Sequence, residues 1–484
     1  MKHVVPATAY RRLLLLNRLF FATEPLSKNN LVESLETSMN TLNADIVVLN
    51  EIFPEDILHI EERNKRVSLN VSDTINFDYL AAYMISTSDL YQLSLSTFWN
   101  TPFNVKEWAE RHFISLTALY VKLKEVDTFL AESRLILDTS PLRIQGNEVN
   151  IRFFYFHLFT RCYPYSGWVM EDFYLEHINK FIQKIEKHAN IHFSESSRLE
   201  YTVAIGVALT RVKQGYCINL EENVKHWENL SPFYNVHDID FSDLEDCLGF
   251  NLELGDRYNI FQIFFLTTFS YVTRNQIQLR IQYDAKFYSQ RYKLAKELVA
   301  LLDKNTIDYE LVLVNVLDYL MRFNLIDKTN LILDINYFST EYLPNSIKAS
   351  DIEAVLSKYE SQATYKYVRD NKATILKYLH DFFSVVLINV ASSQKLNVKV
   401  ISKKGFMWEE YMKTIVRKYY SEELVIFSDE LQPTEHFLQY DLILSDSQIF
   451  SPNDRPIIVW NMPPAMRDIE KLKKWITQKS NYPV

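Results

Sequence analysis

Pro141-Leu142-Arg143-Ile144-Gln145-Gly146-Asn147-Glu148-Val149-Asn150-Ile151-Arg152-Phe153 is the stretch on which the fold reading turns. Apolar residues alternate on both sides of Gly146-Asn147, a pair suited to a tight turn, so it reads as strand, turn, strand. Upstream, Asn104 offers an N-cap for a short helix over 105–112, and Ser115 one for a helix to about residue 134. The longer helix turns Leu119, Leu123, Val126 and Leu130 inward at helical spacing. A long helix over 79–98 precedes both. Helix, short helix, turn, helix, hairpin is the order of a winged helix-turn-helix.

The same order occurs once before. Residues 9–21 read as a buried helix, and Leu26-Ser27 offers a cap for a short helix over 28–35. A second helix over 39–52 turns Leu42, Ile46, Leu49 and Phe53 inward and stops at Pro54. Two strands, 57–61 and 67–71, flank Glu62-Arg63-Asn64-Lys65-Arg66. Two such modules in tandem are more informative than one.

Residues 166–395 carry long amphipathic or apolar helical patterns at 196–213, 258–273, 283–302, 309–323 and 373–390. Two of these apolar helices end in Arg211 and Arg322, a separation of 322 − 211 = 111 residues, which reads as a weak repeat of two helical bundles. Beyond residue 396, β-like runs at 398–401, 424–427, 440–444 and 456–460 alternate with helical patterns at 408–420 and 465–478, the signature of a small parallel α/β unit. The fold class is therefore mainly α and multidomain. Its boundaries are read as 1–72 and 73–165 for the winged modules, 166–284 and 285–395 for the bundles, and 396–484 for the α/β unit.

Composition excludes several chemistries. The chain has 484 residues and only 7 glycines, about a fifth of average usage. No GxGxxG, GxxxxGK[ST] or GxSxG occurs, so phosphate-cradling loops and the nucleophile elbow are absent. Cys162, Cys217 and Cys247 are isolated, which disfavours a disulfide framework or a CxxC zinc site. There is no HExxH, and no metal or cofactor is expected. No apolar run reaches ~18 residues, so no membrane span is expected and the protein is read as cytoplasmic. Net charge is 52 − 61 = −9. Residues 1–165 carry 16 basic and 19 acidic groups, so nucleic-acid binding has to rest on local patches.

Two winged helices, two helical bundles and a terminal α/β unit, in this order, resemble the Mga/AtxA family of Gram-positive transcriptional regulators across essentially the whole chain. The most specific stretch is Leu142 to Arg152, similar to the L-x-I-x-G-x-E-x-x-I-R sequence of those regulators. The resemblance implies a DNA-binding transcriptional regulator, a global or virulence activator and no enzyme, acting as a homodimer on double-stranded DNA. It also implies that the bundles are PRD-like (phosphotransferase-regulation domains) and that the last unit is enzyme IIB-like, with phosphotransferase-system proteins as partners.

A helix-turn-helix lays its second helix in the major groove. In the second module the outward residues would include Ser115, Thr117, Ala118, Val121, Lys122 and Lys124; in the first they would include Asn40, Thr41, Asn43 and Ala44. Asp45 would repel phosphate and make the first helix the weaker reader. Positive charge gathers at the wings, as Arg63, Lys65 and Arg66 in the first and Arg143 and Arg152 in the second. Arginines there suit a narrow A/T-rich or curved minor groove, so shape readout is favoured.

Two departures from the family pattern bear on regulation. The positions at which the resemblance expects phosphorylated histidines hold Ala204, Asn315, Phe264 and Leu387. His380, His177 and His188 are the remaining candidates, with His192 after them. The enzyme IIB phosphocysteine loop would be Ser402-Lys403-Lys404-Gly405-Phe406-Met407, which contains no cysteine. Phosphoryl transfer there is expected to be absent, leaving Phe406, Met407, Trp408 and Trp460 as contact residues. Two alternatives stand beside the regulator: a phosphotransferase-related carrier or enzyme, and a protein–protein scaffold whose winged helices no longer bind DNA.

Overall fold

The computed structural model describes residues 7–99, 104–218, 236–302, 307–325, 347–387, 396–419, 425–427, 440–448 and 456–480. The last residues of the helix expected over 373–390, and the first of the strand expected over 424–427, lie outside the described residues. The chain is mainly helical, with four small sheets among the described residues.

The first module runs α1 (Ala7–Phe21), β1 (Leu26–Ser27), α2 (Lys28–Ser34), α3 (Met39–Ile52), β2 (Leu58–Arg63) and β3 (Arg66–Val71). Leu26-Ser27 is not a side-chain cap: Ser27 makes no capping bond, and the pair instead forms β1 against Val67 and Arg66. The sheet order is β1-β3-β2. Asn64 and Lys65 join β2 to β3 with φ of 52° and 60°, a two-residue turn whose twist matches the strands. Leu42, Ile46, Leu49 and Phe53 are buried, as their spacing predicts.

The second module runs α4 (Phe77–Ser86), α5 (Asp89–Phe98), α6 (Val105–Arg111), α7 (Leu116–Glu132), β4 (Ile136–Thr139) and β5 (Leu142–Gln145). The long helix expected over 79–98 is two helices, because the Ser88 hydroxyl accepts from Tyr91 N and restarts the chain as α5. Asn104 and Glu107 close a capping box on α6, and Ser115 caps α7.

The deciding stretch is corrected in part. The hairpin is β4–β5, with Thr139 opposite Leu142 and the turn at Ser140-Pro141. Gly146-Asn147 ends it. Gly146, at φ +148°, passes so close to Leu135 that an added Cβ would lie 2.7 Å from its Cδ2. Asn147 then caps a helix, α8 (Glu148–Ser166). The alternation of Val149, Ile151 and Phe153 imitates a strand, but α8 is buried on almost every side, so its apolar residues show no helical stripe.

Two further helices, α9 (Tyr174–Ala189) and α10 (Glu195–Lys213), open the first bundle and pack against α8, the last helix of the second module. The helix expected over 258–273 stops at Gln262, continues as a 3-10 turn and ends in β7 (Phe269–Tyr271), which pairs antiparallel with β6 (Ile191–Phe193). The boundary expected between 284 and 285 falls inside the helix Arg274–Phe287. That helix belongs with the second bundle: Arg280 pairs with Asp318 at 3.2 Å, and Asp284 pairs with Arg291.

Three main cores result. One runs unbroken from Leu13 through both winged modules and the first bundle to Phe265. A second gathers residues between Leu294 and Val386, joined by Met407. The third fills the terminal unit, where β8 (Leu396–Ile401), β9 (Val425–Phe427), β10 (Leu442–Ser445) and β11 (Ile457–Val459) form a parallel sheet ordered β11-β10-β8-β9. Met407, Trp408 and Trp460 are buried and Phe406 packs against the second core, so these four are packing residues and not surface contacts. No helix among the described residues is long and apolar enough to cross a membrane.

Candidate nucleic-acid interface

The helix α7 shows solvent a continuous face. Leu119, Leu123, Val126 and Leu130 are buried beneath it, while Thr117, Ala118 and Lys124 are exposed. Beside them stand Leu116, Tyr120 and Val121, the last two 57% and 60% exposed. Residues 116, 117, 120, 121 and 124 recur at helical spacing and share one face. Tyr120 and Leu116 were missed by sequence reasoning. The signal was available, since the inward set at 119, 123 and 126 leaves 116 and 120 outside. Lys122 is drawn away from this face to Asp89 at 2.7 Å on the first turn of α5. Ser115 spends its hydroxyl on the Ala118 N–H at 3.3 Å.

The equivalent helix of the first module, α3, is differently equipped. Asp45 does not face outward. It is 2% exposed and accepts from Arg11 at 2.6 Å and Arg12 at 2.9 Å, two cations on α1. The expected repulsion of phosphate is therefore absent. Asn40 and Asn43 are exposed, with Asn43 accepting from Lys28 Nζ at 2.7 Å. Thr41 is half-buried and shares hydrogen bonds with Ser38, the α3 cap.

The wings differ more. At the first tip Arg63, Lys65 and Arg66 are all exposed; Arg63 pairs loosely with Glu61 at 3.2 Å. On the second wing Arg143 is half-exposed and bound to Asp138 at 3.1 Å. The Ser140 N–H, and then Arg143, hold the Asp138 carboxyl below its ordinary range. Arg152 is not on a wing. It is fully buried on α8 and donates to Asp256 at 2.6 Å, Asn259 at 3.1 Å and the Tyr216 carbonyl at 2.9 Å. Glu148, one turn before it, receives Arg152 at 3.2 Å and Arg211 at 2.6 Å. This network fastens the second module to the first bundle. Cys217, Glu253 and Asp256 lie close enough to share a metal ion, but Asp256 is already committed to Arg152.

The histidine candidates are scattered. His188 is exposed on α9, and His177 on the same helix meets the Asp243 carbonyl at 2.9 Å. His380 is partly buried beside Asp381, whose carboxylate raises its pKa. The loop after β8 is clamped: the Lys403 carbonyl accepts from Thr268 at 3.0 Å, its N–H donates to Asp446 at 2.7 Å, and its ammonium pairs with Asp78 of α4.

Comparison with known proteins agrees with this geometry. Residues 73–159 match the Mga helix-turn-helix domain, a span that contains α7 and the second hairpin. Over 94% of its length the chain is 22% identical to the capsule synthesis positive regulator AcpB of Bacillus anthracis, covering 95% of that protein. It is 19% identical to AcpA, a capsule synthesis positive regulator of the same organism, over 86% of each chain. It is also 21% identical to the anthrax toxin expression trans-acting positive regulator, over 77% of this chain and 78% of that one. The chain is thus a multidomain protein built around a Mga-type helix-turn-helix. In sequence it is similar, over most of its length, to the AcpB and AcpA regulators.

Proposed function

We propose that the protein is a cytoplasmic, DNA-binding transcriptional regulator that acts as a homodimer and catalyses no reaction. The observation that carries this reading is the coincidence of the matched domain with a solvent-facing second helix, α7, bearing Thr117, Tyr120, Val121 and Lys124. In this reading α7 enters the major groove. Its apolar residues suit thymine methyl groups, and Lys124 suits a phosphate. The first wing supplies Arg63, Lys65 and Arg66 to the backbone or to a narrow A/T-rich minor groove. Arg143 contributes once it exchanges Asp138 for phosphate, and Arg152 is no longer among the contacts. Positive control of transcription, as in the names of the relatives, is the output this reading assigns.

The helical segments after the Mga-type domain and the terminal unit are assigned the regulatory role, as PRD-like bundles and an enzyme IIB-like unit. The helical content and the four-stranded parallel sheet support that assignment. The bundle boundary is placed before Arg274, where Thr273 caps the helix. A phosphotransferase input through His188, His177 or His380 is tested by incubating the chain with labelled phosphoenolpyruvate and the general phosphotransfer proteins.

The test of the whole reading is fluorescence anisotropy of the full chain on a curved A/T-rich duplex and on a random one, across a salt series. Binding whose logarithm falls linearly with log salt, tighter on the curved duplex, is expected. Absence of binding at low salt overturns the reading in favour of the scaffold.

A further inference from the structure

The chain turns from α6 to α7 through a corner of fixed geometry. The Ile114 N–H donates to the Ala109 carbonyl at 3.0 Å, and the Phe113 N–H to that of Glu110 at 3.4 Å. These are the two bonds of a Schellman ending, which holds the residue after the helix cap in the left-handed region. That residue is Phe113, at φ +55°. Glycine takes such a position freely and asparagine at little cost, whereas a bulky side chain there is strained.

The first module makes the same corner between α2 and α3. The Thr37 N–H donates to the Val32 carbonyl at 3.1 Å and the Glu36 N–H to that of Glu33 at 3.2 Å, with Glu36 at φ +48°. In both modules the corner turns its side chain into water: Glu36 is exposed, and Phe113 is 97% exposed. A carboxylate suits water and a phenyl ring does not. Phe113 is the most exposed large apolar side chain among the described residues. Backbone and solvent both disfavour it where it stands. Neither cost serves the fold, so the compensation has to come from a partner.

Position says which partner. Phe113 lies two residues ahead of the Ser115 cap of α7, at the end of that helix which leads into the groove. Leu116 and Tyr120 follow it on the exposed face of α7. What the ring can do there follows from its exposure. No wall of protein supports it, so contact with a groove edge would cover one face and leave the other wet. Insertion between two base pairs covers both. Burying a phenyl ring and unstacking one base step are of the same order in free energy, so insertion is confined to the steps that unstack most cheaply. Those are pyrimidine–purine steps, TA among them.

We propose that Phe113 is a wedge that enters the base stack at a TA step beside the groove holding α7 and kinks the duplex. This rests on the DNA-binding reading above and adds a specificity-determining residue to it. The second module then selects sites that carry a flexible step at a fixed distance from the bases α7 meets. The first module, with Glu36 at the same corner, makes no such kink, because the phosphates repel a carboxylate.

The test uses the full chain and the curved A/T-rich duplex, labelled at both ends for energy transfer. In a second set of duplexes 2-aminopurine, which brightens on unstacking, replaces the adenine of one TA step at a time. The wild type is expected to bring the duplex ends closer and to brighten one step. Phe113→Asn should abolish both signals and weaken binding roughly tenfold, the low end of what burying a phenyl ring is worth. Phe113→Trp should keep both signals. Asparagine tolerates the left-handed corner, so the urea midpoint of Phe113→Asn should equal or exceed that of the wild type. Uracil in place of thymine should leave the kink intact, which separates the wedge from methyl contacts made by Tyr120 and Val121. Wild-type binding without a kink, or a Phe113→Asn protein that binds and kinks as the wild type does, would overturn the proposal and leave the DNA-binding reading standing. A lowered urea midpoint in Phe113→Asn would make the ring a packing residue and overturn it too. Absence of binding by the wild type would overturn both.

Discussion

The two winged modules share an element order and differ in where their free chemistry lies. The first carries three exposed cations at its wing tip and neutralises the one acidic residue on the inner face of α3. The second buries Arg152, pairs Arg143 and Lys122, and presents a mixed apolar and polar face on α7. A wing of unspecific cations positions DNA, whereas a helix with thymine-sized apolar groups distinguishes bases. Duplicated architecture therefore does not mean duplicated function. Under the proposed function, the modules divide positioning from reading.

They are also attached differently. Arg467 of the terminal unit donates to the Val71 carbonyl at 2.7 Å and Lys471 to that of Ile75 at 3.2 Å, holding the end of the first module. The second module is held through the Arg152–Asp256 pair on α8. Arg152→Leu should produce the largest effect of any single change discussed here. Removing one partner of a buried pair costs about 3–5 kcal/mol, because Asp256 is left charged and enclosed. Urea denaturation should show a lower midpoint, while the folded fraction keeps the wild-type salt slope on DNA. A flattened slope in a stable Arg152→Leu protein would restore Arg152 to the interface.

The next largest effect should come from α7. Tyr120→Ala with Val121→Ala should lose roughly 1–3 kcal/mol on the preferred duplex. Replacing thymine by uracil, which removes only the methyl groups, should weaken wild-type binding and leave the double variant's binding unchanged. Equal loss in both proteins would place the methyl readout elsewhere. A smaller effect is expected at Asn104, where Ala breaks the capping box of α6 and costs about 1 kcal/mol in thermal denaturation, shifting stability without altering base preference.

Much of this architecture was legible in the sequence. Leu119, Leu123, Val126 and Leu130 marked the buried stripe of α7, Ser115 marked its start and Asn104 that of α6. What failed did so for physical reasons. The alternation of Val149, Ile151 and Phe153 is compatible with a strand and with a helix buried all round, and only the surrounding bundle decides. Asp45 looked exposed because its partners lie 34 and 33 residues away on α1. β6 and β7 pair across 271 − 191 = 80 residues, beyond the reach of local pattern.

The division of labour between the modules is tested most directly by the salt dependence of DNA affinity for three proteins measured side by side. These are the wild type, Arg63→Ala/Lys65→Ala/Arg66→Ala, and Tyr120→Ala/Val121→Ala. Each lost phosphate contact reduces the slope by about 0.9, so the wing variant should flatten by up to roughly three contacts' worth on every duplex. The α7 variant should keep the full slope and lose its preference between duplexes. A wing variant with an unchanged slope, or an α7 variant that keeps its preference, would contradict the account.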